Sequence, residues 1–86
     1  MTNEEAKATI FEVLDGIAPE VDAASVEHDV ELDEQLDLDS MDFLNWLIGI
    51  SKATGVEIPQ RDASEFMTID GAAKYLVAHA SVSYTH

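Results

Sequence analysis

Ser40 is the residue best placed to do chemistry in this chain. It lies in the run Leu38-Asp39-Ser40-Met41-Asp42, between two acids and at the start of an apolar helical pattern. A nucleophilic serine needs a base within hydrogen-bonding reach and a third group to orient that base. His28 is the only candidate base in the preceding loop, and no glycine-flanked nucleophile elbow surrounds the serine. A displayed hydroxyl without a base serves better as an attachment point than as a nucleophile. Taken alone, a serine in this place is also an ordinary helix cap.

The other reactive residue types add little. There is no cysteine, so neither a disulfide framework nor a thiolate zinc site is available. His28, His79 and His86 are far apart in sequence and read as surface histidines with no zinc spacing. The acids from Asp29 to Asp39 lack the glycine at the sixth position and the closing glutamate of an EF-hand loop. They read as a solvated acidic face, with weak divalent-cation binding left open and no metal site expected.

Charge narrows the partners. Eighteen Asp and Glu against four Lys and Arg give a net charge of −14. Such a surface repels nucleic acid and anionic membranes and attracts basic protein surfaces. Crowded acids also predict loop mobility and stability that improves with salt. No apolar run is long enough to span a bilayer and no signal peptide is evident, so the expectation is a cytoplasmic protein without stable membrane insertion. A chain of 86 residues, 47% hydrophobic, makes one domain over 1–86 with little core to spare for a deep active site.

The elements that must position Ser40 follow from periodicity. Ala6, Ile10, Val13, Leu14 and Ile17 recur at helical spacing, and Thr2 with Glu5 forms a capping box, so a first helix is expected over about Asn3 to Ile17. Residues 18–39 scatter six large apolar side chains among acids. They read as a long ordered loop pinned across the helices, because Val30-Glu31-Leu32-Asp33 alternates but has no partner strand. A second long helix runs from Ser40 to about Ala53, with Asp39 as its N-cap, Asp42 favourable at the positive end of its dipole, and Thr54-Gly55 as its stop. A short helix is expected within Arg61 to Phe66, then a last helix from Ile69 to Ala80 capped by Thr68, with residues 81–86 as a frayed tail. The fold class is all-α: a small four-helix bundle of three longer helices and one short one.

The second long helix carries two apolar stripes. At about 100° per residue, Phe43, Trp46, Leu47, Ile50 and Thr54 share one wide sector, which is assigned to the core. Met41, Leu44 and Ile48 form another, roughly 120° away, beginning beside Ser40. A central helix buried on most sides would explain both stripes. The position of the second beside the serine favours a docking strip for partner proteins, which a soft methionine suits.

Taken together, these residues resemble the acyl carrier protein family. Asp39-Ser40-Met41-Asp42 is similar to its attachment motif, Gly55-Val56-Glu57-Ile58-Pro59 to its Glu-Ile-Pro connector, and Thr68-Ile69-Asp70-Gly71-Ala72-Ala73-Lys74-Tyr75-Leu76 to its last helix. The resemblance is firmest over residues 36–77. It implies a carrier, not an enzyme, with 4′-phosphopantetheine from coenzyme A attached to Ser40 by a phosphopantetheinyl transferase that also contacts Asp39. It further implies acyl-loading and acyl-transferring enzymes as partners, in fatty-acid, lipid or related metabolism. Carriers of aminoacyl (D-alanyl-like) or polyketide-type groups, and an unmodified interaction module of the same fold, are the alternatives. A free monomer is the default.

Matching by position, Ile50, Ile58, Phe66 and Ala72 would line an acyl crevice, with Trp46 and Leu47 nearby. Phe66 and Trp46 are bulkier than the residues usual there, which suggests altered cargo length or shape. Fatty-acid carriers also carry several acids along the second helix, whereas Phe43 to Val56 has none and includes Lys52. A specialised carrier is therefore expected, docking through the Asp29-to-Asp42 acids, Asp42 among them, and the Met41/Leu44/Ile48 strip.

Overall fold

The computed structural model describes the backbone of residues 1–83 and the side chains of residues 1–80. Among them are four α-helices, two 3-10 segments and no strand: α1 (Asn3–Ile17), α2 (Leu32–Gln35), α3 (Ser40–Thr54) and α4 (Ile69–Ser83), with 3-10 turns at Ala23–Ser25 and Gln60–Phe66. No described helix is long and apolar enough to cross a membrane.

The caps at both ends of the long helices are local devices. Thr2 Oγ1 accepts from the Glu5 amide at 3.1 Å and Glu5 returns a carboxylate to the Thr2 amide at 2.8 Å, closing the capping box. Those bonds hold the Glu5 carboxyl below its ordinary range. Gly55 ends α3 at φ +75°, a left-handed C-cap that glycine adopts without a Cβ penalty. Thr68 Oγ1 accepts from the Gly71 amide at 2.9 Å and starts α4. That helix continues to Ser83, three residues past the expected end at Ala80; residues 84–86 of the expected tail lie outside the described residues.

The core lies where α1 packs against both α3 and α4. Ala6, Ile10 and Leu14 make the inner stripe of α1, and Trp46 and Ile50 that of α3. Ile69, Ala72, Ala73 and Leu76 contribute from α4. Gly49 lets α3 close on α1: a Cβ there would sit 2.5 Å from Val13 Cγ1. Aromatic rings bridge α3 to α4, with Trp46 edge-on to Phe66 at 6.1 Å and Phe66 tilted against Tyr75 at 5.0 Å.

The segment between α1 and α3 differs from the expected loop in two respects: Ala23–Ser25 is a 3-10 turn and Leu32–Gln35 is a turn of α-helix. Buried Leu32 anchors it, and the Leu32 amide bonds to the Met67 carbonyl at 2.7 Å. Gln35 straps the rest, accepting from the Glu27 amide at 2.8 Å and donating to the carbonyls of Glu27 at 2.7 Å and Val30 at 3.0 Å. A second backbone stitch runs from the Asp70 amide to the His28 carbonyl at 3.0 Å. His28 is no plain surface residue. It is half-buried, its ring centroid lies 5.4 Å from that of Phe11, and its Nδ1 accepts from Lys7 Nζ at 2.9 Å. The same ammonium pairs with Asp70 at 2.9 Å, tying α1, the loop and the start of α4 together.

Candidate functional site

Ser40 is the first residue of α3 and is exposed. Asp39 holds the helix start: its Oδ1 accepts from the Asp42 amide at 2.8 Å, and its carbonyl takes the Phe43 amide at 3.0 Å. The Ser40 hydroxyl itself makes no hydrogen bond among the described residues, so it caps nothing; the capping is done by Asp39. Among the described residues, no histidine or carboxylate is hydrogen-bonded to the hydroxyl as a base. His28 is occupied by Lys7, and His79 is exposed, stacked on the Tyr75 ring at 3.8 Å. His86 lies outside the described residues.

The second apolar stripe of α3 is open to solvent. Met41 is 65% exposed, Leu44 49% and Ile48 44%, so the helix is not buried on most sides. Asp42, assigned with them, is half-buried beside the N-cap. The stripe runs directly into a crevice of about 760 Å³ between α3 and the connector after it. Ser40 stands at one end; Phe43, Leu44, Leu47, Ile48 and Ile58 make the apolar walls; Lys52, Glu57 and Gln60 lie on its border.

Of the six side chains assigned to an acyl crevice or placed beside it, Leu47 and Ile58 line this open crevice. Trp46, Ile50, Phe66 and Ala72 are each 0% exposed and face the sealed core instead. Their departure has a physical cause: Trp46 points at α1, donating its indole N–H to the Ile10 carbonyl at 3.1 Å, and Phe66 fills the space between the Trp46 and Tyr75 rings. The wall residues that sequence reasoning did not assign to the crevice are Phe43, taken as core, Leu44 and Ile48, taken as docking strip, and Ala63. Their signal is weak, because a half-buried position on a helix edge has the same residue types as a core position.

On the loop side, Glu31, Asp33 and Glu34 bring carboxylate oxygens within 4.8 Å of one another, all exposed, as part of the acidic rim leading to Asp39. In a separate hollow beside the connector, Tyr75 donates its hydroxyl to Asp62 Oδ2 at 2.8 Å, and burial together with that carboxylate pushes its pKa up to about 12.

Comparison with known proteins agrees with this arrangement. Residues 9–76 match the model of the family described as "Phosphopantetheine attachment site". The acyl carrier protein of Rubrobacter xylanophilus is 32% identical over 59 residues, covering 69% of this chain and 73% of that one. That of Helicobacter pylori is 32% identical over 73 residues, covering 85% and 87%. A solved acyl carrier protein from Enterococcus faecalis superposes with a TM-score of 0.71 at 25% identity, over 92% of this chain and 99% of that one. An all-helical bundle with an unengaged serine at a helix start, matched by family, relatives and fold, places this chain in the acyl carrier protein family, whose members are carriers rather than catalysts and whose prosthetic group is 4′-phosphopantetheine.

Proposed function

We propose that Ser40 is the tether for 4′-phosphopantetheine and that the protein presents thioester-linked acyl groups to partner enzymes. The observation that carries this is the unengaged, exposed Ser40 hydroxyl at the first position of α3. The surroundings fit the group. The Ser40 and Met41 amides are free at the positive end of the helix dipole, which favours a phosphodiester there. Asp39 and Asp42 oppose that charge, at an exposed site where water and salt screen the repulsion.

A transferase supplies the catalysis. The Ser40 oxygen bonds to the pantetheine-bearing phosphorus of coenzyme A and the bond between the two phosphates breaks. Adenosine 3′,5′-bisphosphate leaves with the electron pair, and the hydroxyl proton passes to the transferase's base. The carrier needs only an accessible hydroxyl on a firm helix start, which the Asp39 cap provides.

Met41, Leu44 and Ile48 are the docking strip for the transferase and for loading enzymes, with the acids from Asp29 to Asp42 steering basic partner surfaces toward it. Incubation with coenzyme A and a broad-specificity transferase tests the assignment. The protein gains the mass of one phosphopantetheine, and Ser40→Ala gains none. An unmodified wild-type protein, or modification that survives Ser40→Ala, overturns it.

A further inference from the structure

Three ionisable side chains outside the Ser40 site meet at one point. Lys7 of α1 reaches His28 Nδ1 at 2.9 Å and Asp70 Oδ1 of α4 at 2.9 Å. An ammonium has N–H donors and no lone pair, and the Asp70 carboxylate keeps Lys7 in that form. The His28 nitrogen that faces it must therefore accept. This fixes the ring as neutral, with its one proton on Nε2.

The same point holds the loop to both long helices. Phe11 of α1 lies against the imidazole, with ring centroids 5.4 Å apart, and the His28 carbonyl accepts from the Asp70 amide at 3.0 Å. One position earlier, Gln35 holds the amide and the carbonyl of Glu27. The segment that starts here carries the acids from Asp29 to Asp39 up to Ser40.

A proton on Nδ1 reverses the contact. The acceptor becomes a donor, and an imidazolium faces an ammonium at hydrogen-bonding distance. The other charged groups within about a turn of these contacts in sequence are Glu4, Glu5 and Glu12 on α1, Lys74 on α4, and Glu27, Asp29 and Glu31 on the loop. Among the described residues the imidazole forms no ion pair with any carboxylate. The closed loop thus offers the proton a repelling neighbour and no partner. An open loop frees the ring to meet the acids beside it.

We propose that Lys7, His28 and Asp70 form a pH-sensitive clasp. A proton taken up by His28 releases the loop before Ser40 from α1, while Lys7 and Asp70 keep α1 tied to α4. The closed form excludes the proton and the open form takes it. Closure is therefore full above the range in which imidazoles ordinarily titrate, about pH 6.5, and is lost as the pH falls through it. The clasp goes beyond the assignment of Ser40 and does not depend on it.

The test uses the full chain and two variants. At about pH 7.5, long-range proton–nitrogen spectra of the His28 ring are expected to show Nε2 protonated and Nδ1 bare. Between about pH 7.5 and 5.5 the wild type should lose about 3–6 °C more in melting temperature than His28→Asn, whose amide oxygen can stand in for Nδ1 and does not titrate. His79 and His86 remain in both proteins, so their titration cancels in the comparison. Over the same interval the protection factor of the Asp70 amide falls several-fold in the wild type and holds constant in His28→Asn. Lys7→Met keeps the histidine and removes the charge that opposes its proton, so its melting temperature should respond to pH as weakly as that of His28→Asn. A proton on Nδ1 at about pH 7.5 overturns the proposal. So does an equal pH response in the wild type and His28→Asn, or a Lys7→Met protein as pH-sensitive as the wild type.

Discussion

The Trp46 indole N–H donates to the Ile10 carbonyl at 3.1 Å, so the largest side chain of the core is also the hydrogen-bonded link between α3 and α1. Trp46→Phe keeps an aromatic ring but loses the donor and part of the volume. It is expected to lower stability by about 1–3 kcal/mol. Urea unfolding followed by circular dichroism checks this, with a lower midpoint and an unchanged slope as the expected outcome.

The loop before the serine depends on an amide that both donates and accepts. Gln35→Glu preserves shape but cannot donate to the Glu27 and Val30 carbonyls, and it adds an acid to an acidic segment. A loss of about 1–3 kcal/mol in urea unfolding is expected, because the two carbonyls lose their donor while the Glu27 amide keeps an acceptor. Equal stability of the variant and wild type would show that water replaces the strap without cost.

Tyr75 sets a limit at high pH. Its folded pKa of about 12 lies above the ordinary value of 10.0, so its contribution is full below about pH 10 and is lost as pH rises toward 12. Alkaline titration of stability should show this loss in the wild type. The Tyr75→Phe variant should lack that component of the decline.

Two glycines predict opposite responses. At Gly71 an added Cβ would lie 2.5 Å from the Glu65 carbonyl oxygen and 2.9 Å from Thr68 Oγ1, so Gly71→Ala must displace backbone and is expected to cost about 1–3 kcal/mol. At Gly16, an exposed position within α1, nothing lies within 4 Å of the added atom, and Gly16→Ala should gain about 0.5–1 kcal/mol. Thermal melts of the two variants should move in opposite directions.

The exposed stripe separates docking from folding. Met41→Ala and Leu44→Ala remove surface side chains and should change stability by no more than about 0.5 kcal/mol. Each should raise the KM for pantetheinylation several-fold. Unchanged kinetics in both would remove the stripe from the transferase interface.

Much of the fold was legible because its signals are local. The Thr2/Glu5 box, the Asp39 cap and the Gly55 stop each act within a few residues, and the apolar period of α1 and α3 states which faces meet. The separation of Met41, Leu44 and Ile48 from the core sector was likewise readable on one helical wheel. The turn at Leu32–Gln35 was not, since its anchor is the distant Met67 carbonyl. His28 looked like a surface residue because its partners, Lys7 and Phe11, lie on α1, about twenty positions away in sequence. Which side chains border the open crevice was not legible for a related reason: a helical wheel shows that Trp46 and Leu47 both point inward, but not that the first meets α1 while the second meets the connector.

The two backbone stitches, Leu32 to Met67 and Asp70 to His28, join one stretch of chain to one helix start across more than thirty positions of sequence. Both bonds span a long loop of chain, so hydrogen exchange at the Leu32 and Asp70 amides is expected to report on the same opening. The serine therefore sits between a helix packed into the bundle on one side and, on the other, a segment whose backbone is secured at long range.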